Sequence, residues 1–541
     1  MIGVFFQSQE EFTRTLHISL DPVVARDSDR RVTPSSRPFS PAFVPSPGDH
    51  RGEPGRPPLQ PLEMALVGVT ALHLCFLPWA LGTMHAWSQL TSLGFGIVGF
   101  ILMAWPRAEP GDIHAKQWPV ARLLRFPVFW AGLILLGYIA VQGLNPAWRF
   151  IGVAHSWWIE PVGHVSWLPS GVEAPFAISN PWRALTVDGS LWLLVCSVWA
   201  GFLRRKSYHA LFFILVGNAF FLALLGMLQK LSGTDRIFWS YLPSNPSFIA
   251  SFIYPNHAGP YFNLMVALAA GLAWWHRQRA RRQFEKPGQA FFFTFLAVFT
   301  GLAVISTYSR MSVVLLLVLT VLAGGAFALG LFRRTGRIRD RRTFLLPALA
   351  LAGVIGTGLV VLRTAKVWER LADQVDHPVA FDRDRTLARQ ASRDMWCDRW
   401  LLGWGAGCFR YNFQDYVAKY PEIYYAGNHR QYWEHAHDDL LEFPVELGAA
   451  GLLPLAGILG YGAWQLGRRR FWRNAVSFCA VLGCTLVLLH AWVDFVFQNP
   501  AVLLTWSVLL VGAVRWAELD QPGGRRSAGL LREQAIDQPN R

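Results

Sequence analysis

Beyond residue 63 the chain alternates between long apolar stretches and short polar breaks. The apolar stretches cover 64–81, 92–106, 127–144, 186–203, 209–230, 256–275, 290–306, 311–332, 343–362, 443–466, 474–493 and 499–516. Most approach the roughly 20 helical residues that cross a hydrocarbon core of about 30 Å. The pattern predicts an all-α polytopic membrane protein with about 12 transmembrane helices. Residues 1–62 stand outside it. They are rich in Pro, Arg, Ser and Asp and read as a disordered cytoplasmic tail. They lack the ordered basic, apolar and cleavage regions of a secretory signal. Met64, at the edge of the first apolar run, is an alternative start; a native peptide from residues 1–60 would exclude it.

Composition supports the pattern. Of 541 residues, 52% are hydrophobic and only 16% charged, against about 25% charge in soluble domains. That excludes a disordered chain, a fibrous protein and an ordinary soluble enzyme. The net charge of +15, taken alone, would suggest nucleic acid. Its arginines instead cluster in every second break: Arg107 to Arg125, Arg204 to Lys206, Arg277 to Lys286, Arg333 to Arg342 and Arg468 to Arg473. Breaks 82–91 and 494–498 contain no Lys or Arg. This is the positive-inside signature of topology, and no nucleic-acid partner is expected.

With the basic side cytoplasmic, both termini lie inside. Segments 145–185, 231–255 and 363–442 lie outside. The expected organisation is a tail over 1–62, N-terminal transmembrane helices over 63–229 with outer loop 145–185, a second transmembrane region over 230–516, and a tail over 517–541. The outer loop 363–442, expected to be helical, separates the ninth and tenth helices. It is too long for a plain connector, and such loops concentrate function. No internal repeat is visible, which counts against an inverted-repeat transporter. Cys397 and Cys408 share this outer loop; a disulfide and two free thiols both fit.

Five constellations carry candidate chemistry. The first is Glu434-His435-Ala436-His437-Asp438-Asp439 with Glu442, Glu446, Gly448 and Gly451. It crowds ionisable groups at the outer start of an apolar helix, where they are costly. His437 can serve as a general base. The acids can equally cap the helix, and His435, His437, His429 and the aspartates could hold zinc. The two glycines would let another helix approach closely.

The second is Thr307 to Ser312, in which Arg310 opposes the charge bias. Its guanidinium either snorkels to the interface or binds a phosphate group. The third is Tyr254-Pro255-Asn256-His257-Ala258-Gly259-Pro260, where Asn256 is a helix cap or a site group. The fourth is the outer-loop series Arg385, Arg389 and Arg393 on one helix face. It is either a salt-bridged surface or a cationic face over a diphosphate. The fifth is His490 to Pro500, with His490 and Asp494 spaced to pair across one turn. Trp148, Trp157, Trp158, Trp167 and Trp182 make loop 145–185 an aromatic surface for headgroups or sugars.

Together these pieces resemble the O-antigen ligase / O-antigen polymerase superfamily. His437, Asp438, nine further residues, then Gly448 and Gly451 match that family's His, small polar residue and Gly-x-x-Gly spacing. Asp438 departs from its usual Asn, Ser or Gln. Pro255-Asn256-His257-Ala258-Gly259 and Ser309-Arg310 match two further motifs, and the likeness covers about 230–516.

The resemblance implies a multi-pass protein of the bacterial inner membrane with its active site facing the periplasm. The implied reaction is inverting and metal-independent, without a cofactor. It transfers a glycan from undecaprenyl diphosphate to a sugar hydroxyl on lipid A-core or another glycan. The roles implied are His437 as base, and Arg310, with Arg385 and Arg389, on the donor diphosphate. Asn256, His257, His435, Asp438, Glu446 and Asp494 would be supporting groups, with Asp438 or Glu446 orienting the base. No metal site is expected. The rival readings are a lipid-linked glycan flippase and a metal-dependent hydrolase.

Overall fold

The computed structural model describes residues 60–109, 112–153, 156–335, 378–426, 429–430 and 432–520. Its helices are α1 Pro61–Trp79, α2 Ala86–Ala104, α3 Pro119–Leu124, α4 Pro127–Leu144, α5 Pro181–Gly201, α6 Arg205–Leu231, α7 Pro255–Gln283, α8 Gly288–Ser306 and α9 Arg310–Thr335. They continue with α10 Pro378–Asp398, α11 Phe409–Val417, α12 Pro421–Tyr424, α13 Asp439–Arg468, α14 Ala475–His490 and α15 Pro500–Leu519. The molecule is an all-α polytopic membrane protein. Among the described residues, nine helices are long and apolar enough to cross a membrane: α1, α2, α4, α5, α6, α8, α9, α13 and α15.

Eleven of the expected stretches coincide with a helix. The expected ninth, 343–362, lies outside the described residues, as do the expected tails apart from their ends next to α1 and α15. Helix starts follow local chemistry. Asn180, Asn474 and Asn499 accept bonds from the first free N–H groups of α5, α14 and α15. Pro181 and Pro500 then sit where no N–H is needed.

Helix α7 is the centre of the bundle. It packs on α8, α14, α9 and α6, and Tyr261, Phe262, Leu264, Met265 and Leu268 are fully buried. Because it faces protein, it can carry Asn256, His257 and Asn263 and still belong in the bundle.

The end of the bundle bearing residues 146–180 and 378–438 is here called the loop end. There β1 (Pro146–Val153) pairs antiparallel with β2 (Ser156–Pro161) and parallel with β3 (Gly171–Glu173). The expected aromatic surface is therefore split. Trp148 stacks on Trp404 at 5.3 Å, with Arg399 over both rings, and Trp157 packs edge-on to Tyr411. Trp158, Trp167 and Trp182 remain exposed. Cys397 is exposed, Cys408 is buried, and both are free thiols.

Helix α13 is broken inside its apolar length. Gly448 has φ 62° and ψ 177°, a conformation open to glycine alone. The break frees backbone groups, and the turn 400–405 takes them up. Trp404 N–H donates to the Val445 carbonyl at 2.9 Å and Gly405 N–H to Glu446 at 3.0 Å. Ala449 and Ala450 donate to Trp400 and Leu401. The Tyr138 hydroxyl on α4 donates to the Leu402 and Leu447 carbonyls. Gly448 was expected to admit a neighbouring helix. It admits this turn instead, because a Cβ there would strike Leu401 and Gly403 backbone; Gly451 does face a helix, at Tyr138.

Gly448→Ala should therefore lower the folded state by roughly 2 kcal/mol or more, from strain plus clash. Gly457→Ala, in open space on the same helix, should leave the thermal midpoint in detergent unchanged or slightly higher. Equal midpoints for the two variants would overturn this account of the break.

Candidate functional site

Three stretches meet at the loop end: 433–442, 491–499 and the first turn of α7. The first is turned by His437, whose φ of 52° is left-handed, before α13 begins at Asp439. Glu442, on the first turn of α13, reaches back. It accepts from Ala436 N–H at 2.8 Å and Gln498 Nε2 at 3.1 Å, and bonds His435 Nδ1 at 2.8 Å. Asp439 ties the second stretch in. Its Oδ2 accepts from Phe497 N–H at 2.7 Å, and its own N–H donates to the Ala491 carbonyl. Both carboxylates are buried, and a buried carboxylate is tolerated only with such donors.

His437 Nδ1 lies 3.3 Å from Asp494 Oδ1. The His437 side chain is 27% exposed, while that of Asp494 is 3% exposed, so only the imidazole is reachable. A carboxylate on Nδ1 fixes the proton there and leaves Nε2 as the basic nitrogen. Nε2 has no hydrogen-bond partner among the described residues. Asp494 also accepts from Asn256 Nδ2 and from Phe495 N–H. Burial pushes the Asp494 carboxyl up. The His437 bond, and the positive potential of His437, His490 and Arg385, outweigh burial and hold it at about 2.

Asn256 is not the cap of α7, which starts after Tyr254; its side chain serves Asp494 and the Tyr254 hydroxyl. His257 Nε2 donates to the Phe495 carbonyl at 3.1 Å, and Asn499 Nδ2 donates to its Nδ1. Those partners hold His257 as the neutral Nε2–H tautomer. Phe495 lies among four rings. His435 and Tyr254 stack on it at 4.5 and 5.2 Å, and His437 and His257 meet it edge-on.

Arg385 Nη1 donates to the Val493 carbonyl at 2.8 Å and Arg389 Nη2 to Trp492 at 3.1 Å. These two arginines of α10 thus brace the loop that carries Asp494. Arg310, half-buried, opens α9 at the same end of the bundle. Its turn is seated on α7: Asn263 Nδ2 donates to the Ser312 carbonyl at 2.9 Å, and a Cβ on Gly259 would run into Ser312. The first turn of α7 therefore carries Asn256 toward Asp494 and Gly259 toward the Arg310 turn.

Three readings of the sequence need correction. Asp438 does not orient His437. The left-handed turn at 437 carries it toward Arg389, with Oδ2 3.3 Å from Nε. Glu446 does not either, because it accepts from Phe409 N–H at 3.1 Å beside the turn 400–405. Asp494 does not pair with His490 through side chains. Helix α14 ends at His490, and Asp494 lies in the following turn, facing His437. Phe495 was not singled out, and no spacing in the sequence marks it; Glu442 was grouped with the acids of the helix start, without its partner His435. The histidines proposed as zinc ligands are spent on Glu442 and Asp494, and the side chain of His429 lies outside the described residues. Among the described residues, no three His, Cys, Asp or Glu side chains are grouped to hold a metal ion.

Residues 293–456 match the family model described as O-antigen ligase. This match over part of the chain supports the likeness to the O-antigen ligase/polymerase superfamily. The matched residues include Arg310, Arg385, Arg389, His435, His437, Asp438 and Glu446. Asn256, His257 and Asp494 lie outside them and join the site through the contacts above. Among curated proteins, none matches the chain. The family implies a glycosyltransferase-type enzyme in a membrane, with a lipid-linked glycan donor and a glycan acceptor.

Burial works against a charged His435, and the Glu442 carboxylate overrides it, raising the imidazole above its ordinary value. A raised folded-state value gives stability that is fully present below the unfolded value of about 6.5 and lost as pH rises through the folded one. The stability gap between the native protein and His435→Gln should therefore be larger at about pH 5.5 than at about pH 8.5, read from thermal midpoints. A gap that grows with pH would contradict the pairing.

Proposed function

We propose that this protein transfers a glycan from undecaprenyl diphosphate to an acceptor sugar hydroxyl, inverting and metal-independent, at the periplasmic face of the bacterial inner membrane. The observation that carries the proposal is the His437–Asp494 pair: a reachable imidazole whose far nitrogen has no partner among the described residues and whose near nitrogen is set against a buried carboxylate. Such a base–orienter pair is how a neutral histidine is made ready to accept a proton.

His437 Nε2 takes the proton of the acceptor hydroxyl. The hydroxyl oxygen attacks the anomeric carbon from the side opposite the diphosphate, and the carbon–oxygen bond to the diphosphate breaks. The electron pair leaves on the diphosphate oxygen. Arg310 neutralises that growing charge, with the guanidinium fork suited to two phosphoryl oxygens. Arg385 and Arg389 contribute positive potential from α10 while holding the Asp494 loop. Asn256 positions Asp494, and His257 fixes Phe495 through its carbonyl. The basic clusters of the opposite end support an orientation with the site outside the cytoplasm.

His437→Ala should reduce glycan transfer in membranes by at least about 100-fold at matched expression. Asp494→Asn should cost a comparable factor, because the amide no longer selects the reactive tautomer. Full transfer by His437→Ala would remove it from the chemistry. Arg310→Lys should impair transfer far more than Arg393→Lys on the exposed face of α10, since only the guanidinium is bidentate. Surface glycan from a deletion strain separates the two activities: loss of all polymer on the lipid anchor indicates a ligase, and single-repeat capping a polymerase.

A further inference from the structure

At the end of the bundle opposite His437, a cavity of about 470 Å³ opens between the last turns of α7 and α9 and the turn joining α13 to α14. Arg277, Arg281 and Arg282 line it from α7, and Arg473 lines it from the turn. Its floor is aromatic: Trp274 meets Phe327 edge-on at 5.7 Å and Phe478 at 6.2 Å. No carboxylate lines it among the described residues.

Neighbouring arginines at this end are paired. Arg205 meets Asp520, and Arg469 and Arg515 both meet Glu518. Arg281, Arg282 and Arg473 have no side-chain partner among the described residues. A helix C-terminus explains two of them, since cations complement the dipole at the end of α7. It cannot explain Arg473. That residue directly precedes Asn474, the N-cap of α14, where the dipole disfavours a cation. The charge there calls for an anion.

We propose that this cavity binds the headgroup of an anionic phospholipid. A phosphodiester suits guanidinium groups converging from two segments. Helix α7 has 29 residues and is therefore about 43 Å long, so arginines on its last turns reach headgroup depth when the apolar centre lies in the hydrocarbon. Below them, Trp274, Phe327 and Phe478 offer apolar surface to the glycerol backbone and first acyl carbons, and Trp472, at the rim, has the amphipathic ring favoured at that depth. A free phosphate would leave this floor uncovered. The proposal is independent of the glycan-transfer reading.

The test is native mass spectrometry of the full chain in detergent, titrated with dioleoylphosphatidylglycerol or dioleoylphosphatidylcholine, with inorganic phosphate as competitor. The native protein should retain phosphatidylglycerol in preference to phosphatidylcholine by about tenfold or more, up to roughly a hundredfold for three surface arginines. The variant R281Q/R282Q/R473Q should lose that preference. Arg473→Gln alone, on an exposed turn, should weaken it roughly fivefold and serves if the triple variant misfolds. Equal retention of both lipids by the native protein would overturn the site. So would an undiminished preference in Arg473→Gln, or displacement by inorganic phosphate at matched concentration, which would indicate a free-anion site.

Discussion

A carboxylate held out of water beside a membrane must be surrounded by donors, and Asp494 draws them from three separated stretches of chain. Asn256 comes from the first turn of α7, His437 from the turn before α13, and the Phe495 N–H from its own loop. Satisfying one charge therefore fixes the relative position of the central helix, the 433–442 stretch and the 491–499 loop. Arg385 and Arg389 reinforce the same loop through its carbonyls. The orientation of the His437 ring is set as a by-product of solvating Asp494 within the protein.

The broken helix α13 solves the complementary backbone problem. Four free polar groups inside an apolar helix would each be costly in a bilayer. The turn 400–405 pairs with them, so the break also anchors the segment between α10 and α11 to the membrane-embedded part of the chain. Glu446 joins the same junction by accepting from Phe409 N–H. A position expected to help orient the base is a structural clamp.

The helical layout was legible because it depends on apolar length, a local property. Stretches such as 127–144 coincide with a helix residue for residue. The functional neighbourhood was legible in part, because ionisable residues crowded at helix starts are conspicuous in an apolar chain. The pairing was not. His437 has acids beside it in sequence at Asp438 and Asp439, yet it meets one 57 residues away. The left-handed turn at His437 decides this, and nothing in residue type announces it: non-glycine residues enter that region through tertiary constraint. The pairing of Asn256 with Asp494, 238 residues apart, is likewise a product of helix packing. The three-stranded sheet in loop 145–185 was missed for a different reason. Its strands are short, and their tryptophans suggested a surface for headgroups or sugars, whereas Trp148 and Trp157 pack against protein.

Phe495 stands between two imidazoles, face to His435 and edge to His437. A benzene ring offers neither a hydrogen to give nor a lone pair to receive one. The two histidines, two residues apart in the chain, are thereby insulated from exchanging protons through it. Each answers to its own acid, His435 to Glu442 and His437 to Asp494, so the two imidazoles sit in separate electrostatic settings.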